Sequence, residues 1–195
     1  MIKTGFFGGS FNPIHLGHIS MARQMLKEGG LDEVWFSVTP QNPFKRSATD
    51  LIDDSERLEM VRKALEEEPS LTASDYEFHL PKPSFTWNTL QHLLADYPDR
   101  AFSLIIGADN WLAFDRWARP DYILAHCPIL IYPRLHCPID PQNLPQGVRL
   151  IDTGLFNVSS TEIRQRAREG KSLSGLVPES IIPLVKKYYG RTCGD

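Results

Sequence analysis

Apolar residues along this chain alternate between short runs and helically spaced sets. Ile2 to Phe7 is the first strand candidate, closing on Gly5-Phe6-Phe7. Ile19, Met21, Ala22, Met25 and Leu26 then recur at roughly helical spacing, which predicts a helix from about Leu16 to Lys27 capped by Gly29-Gly30. Val34 to Val38 reads as a second strand stopped by Pro40, so the opening is a βαβ unit. Asp53 or Asp54 caps a second helix with Leu58, Met60, Val61, Ala64 and Leu65 inward, ended by Pro69. Leu71 to Ala73 is a short strand. Pro81 and Pro83 argue against regular structure between Tyr76 and Pro83. Ser84 is expected to cap a helix over about Thr86 to Ala95.

Ala101 to Ile106 is the clearest later strand and runs into Gly107-Ala108-Asp109. A short helix is expected at Tyr122 to Ala125, and strands at Pro128 to Tyr132 and Val148 to Ile151. A helix follows Ser159-Ser160-Thr161, and a last one covers about Glu179 to Tyr189. There is no internal repeat or long linker. The alternation predicts one α/β domain over residues 1–195: a Rossmann-like, doubly wound, mainly parallel sheet with helices on both faces, and a C-terminal helical part at about 159–190.

Composition adds a compartment and removes some partners. The chain is 42% hydrophobic, as a globular core requires, and its formal net charge of −3 gives no polyanion-binding signature, so nucleic acid is not an expected partner. Three cysteines, Cys127, Cys137 and Cys193, make an odd count that suits a reducing compartment. No secretory h-region and no stretch of transmembrane length is present, so a cytoplasmic protein without a membrane partner is expected.

The candidate chemistry collects where strands end. The turn Gly8-Gly9-Ser10-Phe11-Asn12-Pro13 between the first strand and helix can aim backbone N–H groups at an anion. His15 and His18 lie in or near that helix's first turn, at its electropositive end. The Pro40–Lys45–Arg46 loop, Gly107-Ala108-Asp109 and Arg134 also follow strands, and a parallel sheet brings all of them to its carboxyl edge. Ser159-Ser160-Thr161 with Arg164 one turn on offers a second anion site. Cations and N–H donors suit phosphates, and a carboxylate suits ribose hydroxyls. The loop is neither a Walker A sequence nor G-x-G-x-x-G, and Ser10 is not in a G-x-S-x-G elbow. The histidines therefore read as donors to phosphate oxygens rather than as bases for a nucleophile. They lack the Cys, Asp or Glu that would complete a metal set, and His126-Cys127 with His136-Cys137 match no short zinc knuckle, so no metal ligand is assigned.

Gly9-Ser10-Phe11-Asn12-Pro13-Ile14-His15-Leu16-Gly17-His18 resembles the G-x-F-x-P-x-H-x-G-H motif of the nucleotidyltransferase superfamily. Val158-Ser159-Ser160-Thr161-Glu162-Ile163-Arg164 resembles its I-S-S-T-x-x-R motif. Pro83-Ser84-Phe85-Thr86 with Thr89-Leu90, Gly107-Ala108-Asp109 and Trp117 are similar to the bacterial nicotinate-nucleotide adenylyltransferase branch. The match runs from about residue 2 to 189. The resemblance implies AMP transfer from ATP to nicotinate mononucleotide, by in-line attack without a covalent intermediate, with Mg²⁺ carried by the ATP phosphates. By matching position, His15 and His18 would stabilise the transition state, Gly9, Ser10 and Phe11 would line the phosphate loop, and Asp109 would hold the adenosine ribose. Ser159, Thr161 and Arg164 would hold the outer phosphates, and Lys45 would help neutralise phosphates on the substrate side. Thr86 and Trp117 would lie at the nicotinate ring and Arg134 near the mononucleotide phosphate. Departures from the family pattern fall at Phe44, Phe85 and Asn88. Alternatives remain: nicotinamide mononucleotide or phosphopantetheine as acceptor, or a non-catalytic nucleotide-binding regulator. The sequence sets no oligomeric state.

Overall fold

The computed structural model describes residues 1–40 and 50–190. Lys45 and Phe44, with most of the loop that follows Pro40, lie outside them. Six strands form one sheet: β1 (Ile2–Gly9), β2 (Glu33–Val38), β3 (Leu71–Ser74), β4 (Arg100–Gly107), β5 (Ile129–Tyr132) and β6 (Val148–Leu150). Their order is β3-β2-β1-β4-β5-β6, and every neighbouring pair is parallel. The helices are α1 (Leu16–Gly29), α2 (Asp54–Ala64), α3 (Thr86–Asp96), α4 (Ala108–Leu112), α5 (Pro120–His126), α6 (Ser160–Arg168) and α7 (Ile182–Tyr189).

Strand side chains alternate between faces, so a strand covered on both sides must be apolar at successive positions. Phe6, Leu104, Ile106, Ile129 and Ile131 share one face with Leu90 and Leu93 of α3 and Ile123 of α5. Their neighbours Phe7, Ile105 and Leu130 face the other way, onto α1, α2, α6 and α7. The fold is the expected Rossmann-like α/β architecture. Chain order reverses direction across the sheet between β1 and β4, which opens a crevice at their carboxyl ends.

Three expected boundaries are corrected. The second helix stops at Ala64 rather than running to Pro69, because Glu66-Glu67-Glu68 would place three carboxylates at its negative end. Ser84 does not cap α3: the N-cap is Phe85, extended at φ −93°, ψ 128°, so Ser84 sits one residue too far back to reach the free N–H groups. The last helix begins at Ile182, after a 3₁₀ turn at Glu179–Ile181. Pro183 has no N–H for an i→i−4 bond, so it fits the first turn and not the interior of a helix begun at Glu179. The expected C-cap of α1 is present: Gly30 takes the left-handed conformation, φ 70°, and its N–H donates to the Leu26 carbonyl.

Candidate active site

The turn after β1 is fixed by donors from three helices. The Ser10 carbonyl accepts from Arg57 Nη1 at 2.5 Å, Asn12 O from Arg164 Nη1 at 2.7 Å, and Pro13 O from Ser160 Oγ at 2.9 Å. Tyr189 of α7 donates its hydroxyl to Asn12 Oδ1 at 2.6 Å. Phe11 sits at φ 45°, a left-handed conformation costly for a side chain of its size. Edge-on packing against Phe7 and His18, at 5.3 and 5.2 Å between ring centres, holds it there.

His15 and His18 occupy the N-cap and third positions of α1, and each caps the other's backbone. His18 N–H donates to His15 Nδ1 at 3.3 Å, and His15 N–H donates to His18 Nδ1 at 3.2 Å. The rings stack 3.6 Å apart. This is a capping box built from imidazoles rather than from serine and glutamate. An Nδ1 that accepts a hydrogen bond carries no proton, so the ring proton sits on Nε2, opposite the helix. Burial, helped by the Arg134 guanidinium, lowers the His15 pKa to about 3. The ring is thus a neutral N–H donor at physiological pH. Gly17 leaves room beside the stack, since a Cβ there would lie a tight 3.0 Å from His15 Nδ1.

The pair lines a cavity of about 770 Å³ that also touches Gly9, Ser10, Phe11, Thr86, Asp109, Trp117, Arg134, Ser159, Thr161 and Arg164. Every described site residue named from the sequence therefore reaches one cavity. Lys45 lies outside the described residues. The surroundings differ from the simplest reading in several places. Phe11 is buried, so its ring is packing and its backbone is what the loop can offer. Ser159 Oγ is the N-cap of α6, accepting from Glu162 N–H at 3.1 Å. Arg164 is not a solvated charge: it is buried, pairs with Asp50, contacts Thr161 Oγ1 at 3.4 Å, and leaves Nε without an acceptor among the described residues. Asp109 lies in the first turn of α4, half-exposed, with Oδ1 3.7 Å from Arg134 Nε. Gly107 gives it room, because a Cβ there would sit 2.4 Å from that oxygen. A second cavity of about 450 Å³ continues past His18, Asp109 and Arg134 towards Leu155 and Phe156.

Two buried charged residues at this site escaped the sequence reading. Arg57 is fully buried and bridges the Ser10, Thr39 and Ile52 carbonyls and Asp54. It shares the stripe of Val61 and Ala64 at i, i+4 and i+7, so helical spacing could have placed it inside. Glu77, on a 3₁₀ turn at Tyr76–His79, lines the cavity and is held by threonine hydroxyls. Burial pushes its carboxyl above the usual range, opposed by those hydrogen bonds. Nothing local in the sequence marks it.

Cys127 packs as an apolar residue, its thiol 3.2 Å from the Phe102 carbonyl and pushed up to about 12 by burial, and His126 stacks on Tyr122. Among the described residues no three His, Cys, Asp or Glu side chains group as a metal site. No helix among them is long and apolar enough to cross a membrane.

A probable nicotinate-nucleotide adenylyltransferase of Bacteroides fragilis is 50% identical over 171 residues, covering 88% of this chain and 85% of that protein. One from Bacteroides thetaiotaomicron is 44% identical and covers 100% of this chain and 96% of its own length. Among solved structures, Plasmodium falciparum nicotinic acid mononucleotide adenylyltransferase complexed with NaAD superposes with a TM-score of 0.77 at 19% identity, over 96% of this chain and 94% of that one. That likeness speaks for the fold. Residues 6–166, which run from the strand before the paired histidines to just past Arg164, match the model of the cytidylyltransferase-like family, and the chain belongs to that family of nucleotidyltransferases.

Proposed function

We propose that the chain is a nicotinate-nucleotide adenylyltransferase, transferring AMP from ATP to nicotinate mononucleotide to give deamido-NAD and pyrophosphate in cytoplasmic NAD biosynthesis. One observation carries the reading: two helix N-termini, α1 with its histidine pair and α6 with Arg164, open on one cavity with Asp109, Thr86 and Trp117. The names of the full-length relatives support the same reaction.

In this reading the triphosphate lies between α1 and α6, the ribose meets Asp109, and the base extends into the second cavity. The acceptor sits between Thr86, Trp117 and Arg134. An oxygen of the acceptor phosphate attacks the α-phosphorus; the new P–O bond forms as the bond to the β-phosphate bridging oxygen breaks, and pyrophosphate leaves. That oxygen is already ionised, so no general base is needed. Nε2–H groups of His15 and His18 donate to phosphate oxygens whose charge rises in the transition state, which lowers the barrier without any proton transfer. Arg164 with Ser159 and Thr161 steadies the outer phosphates, and Lys45 helps neutralise phosphate charge. The groups assigned to the triphosphate are N–H and hydroxyl donors and cations, which fit phosphate oxygens and not Mg²⁺, while the carboxylates of the cavity are engaged elsewhere: Glu77 by threonine hydroxyls, Asp50 by Arg164, and Asp109 beside Arg134. The ion is therefore assigned to the triphosphate itself, where it would offset phosphate charge.

Pyrophosphate release from purified protein with ATP and Mg²⁺, measured separately with nicotinate mononucleotide, nicotinamide mononucleotide and phosphopantetheine, tests the proposal. Fastest turnover is expected with the nicotinate. Equal or faster turnover with another acceptor overturns the substrate, and binding of ATP without turnover on any acceptor overturns catalysis in favour of a regulator.

A further inference from the structure

Glu77 is an expensive residue to keep where it stands. It is 3% exposed, and its oxygens are met by hydroxyls: Thr39 Oγ1 donates to Oε2 at 2.9 Å and Thr89 Oγ1 to Oε1 at 2.8 Å. An apolar side chain of similar size would fill the space without the desolvation cost of a carboxyl group. What the carboxyl supplies is a two-ended link. Thr39 directly follows β2; its N–H donates to the Gly9 carbonyl at 2.9 Å, and its own carbonyl shares Arg57 Nη1 with Ser10. Thr89 lies in the first turns of α3, bonded through its N–H to the Phe85 carbonyl at 3.1 Å. Glu77 therefore joins the floor of the phosphate loop to the start of the helix that carries Thr86, and it lines the cavity between them.

We infer that Glu77 is a positioning residue for the acceptor, fixing the Phe85–Thr86 wall relative to the Gly9–Ser10 loop so that the acceptor phosphate lies in line with the α-phosphorus. This rests on the assignment of the acceptor to the Thr86 side. In-line transfer is sensitive to such placement: a misplacement of about 1 Å costs roughly 10²-fold in rate. The ATP side has further holds that do not pass through Glu77, from Arg164, Ser160 and Tyr189. Loss of Glu77 should thus separate the two substrates.

The experiment compares wild type, Glu77→Ala and Glu77→Gln by steady-state kinetics in nicotinate mononucleotide, with ATP dissociation constants from calorimetry on the same proteins. Glu77→Ala is expected to raise the acceptor KM about tenfold and lower kcat by roughly 10–10²-fold, with ATP affinity within about twofold. Glutamine can accept from one threonine and donate to the other, so Glu77→Gln should restore most of both values. Thr89→Val, which removes one end of the link, should repeat the split more weakly, and it replaces Glu77→Ala if that variant does not fold. Equal losses in ATP affinity and acceptor KM, or unchanged acceptor kinetics, overturn the positioning role. Wild type that turns over another acceptor but not the nicotinate removes the substrate reading instead, and the same comparison on that acceptor still decides Glu77.

Discussion

The buried His15 should make the protein sensitive to acid in a way one substitution abolishes. A histidine that ordinarily titrates at 6.5 titrates here at about 3, because burial and Arg134 disfavour its charged form. Between those values the unfolded chain binds a proton that the folded chain does not, so stability is complete above pH 6.5 and falls as the pH drops towards 3. At pH 5 the difference is RT ln[(1 + 10^1.5)/(1 + 10^−2)], about 2 kcal/mol, and at pH 4 it is about 3 kcal/mol. Protonation would also remove the Nδ1 acceptor from the His18 N–H. In His15→Asn the side-chain oxygen can still cap α1 and nothing titrates. Urea unfolding of both proteins at pH 7, 6 and 5 checks this. Carboxylates titrate equally in the two, so the wild type should lose about 2 kcal/mol more than the variant between pH 7 and 5. Parallel losses would show that His15 is not held as a buried neutral base.

His18→Ala should lower kcat by roughly 10²–10³, the usual effect of removing one transition-state donor, and near-normal turnover would refute that assignment. Arg57→Met should cost about 3–5 kcal/mol in urea unfolding, since the Ser10, Thr39 and Ile52 carbonyls and Asp54 lose a buried partner. A loss below about 1 kcal/mol would contradict that role. Gly107→Ala should raise the ATP KM about tenfold by displacing the Asp109 carboxylate, the value of one hydrogen bond to a charged group. An unchanged KM would remove Asp109 from the ribose.

The parts legible in the sequence are those decided by short-range pattern. A parallel strand buried on both faces must be apolar at successive positions, so β4 and β5 declare themselves, and glycine at Gly30 marks the end of α1. The four strand-end segments could be named because parallel topology leaves them one edge to share. Arg57 had a signal, its spacing to Val61 and Ala64, but a charge on that stripe reads as solvated until carbonyls from residues 10, 39 and 52 are brought round it. Glu77 had none. Its burial depends on hydroxyls from residues 39 and 89, one before and one after it, and on a turn that two prolines obscure. The reciprocal capping of His15 and His18 likewise depends on ring orientations that spacing alone does not determine.

That capping explains how the site can hold its polar groups in fixed directions. A trans peptide points its carbonyl and the following N–H in opposite directions. With the Ser10 carbonyl drawn into the protein by Arg57, the Phe11 N–H is turned to the other side, along a loop that lines the cavity. The histidines repeat the logic in their side chains: Nδ1 accepts at the helix start, so the ring proton sits on Nε2, the atom proposed to face phosphate. In both cases an internal hydrogen bond on one end of a polar group fixes the direction of its other end. Donors set in this way need no reorganisation as charge moves onto the phosphoryl oxygens, which is the condition for stabilising a transition state more than a ground state. It follows that the expected acid sensitivity of His15 and the donor role proposed for it have one origin, the burial that keeps the ring neutral.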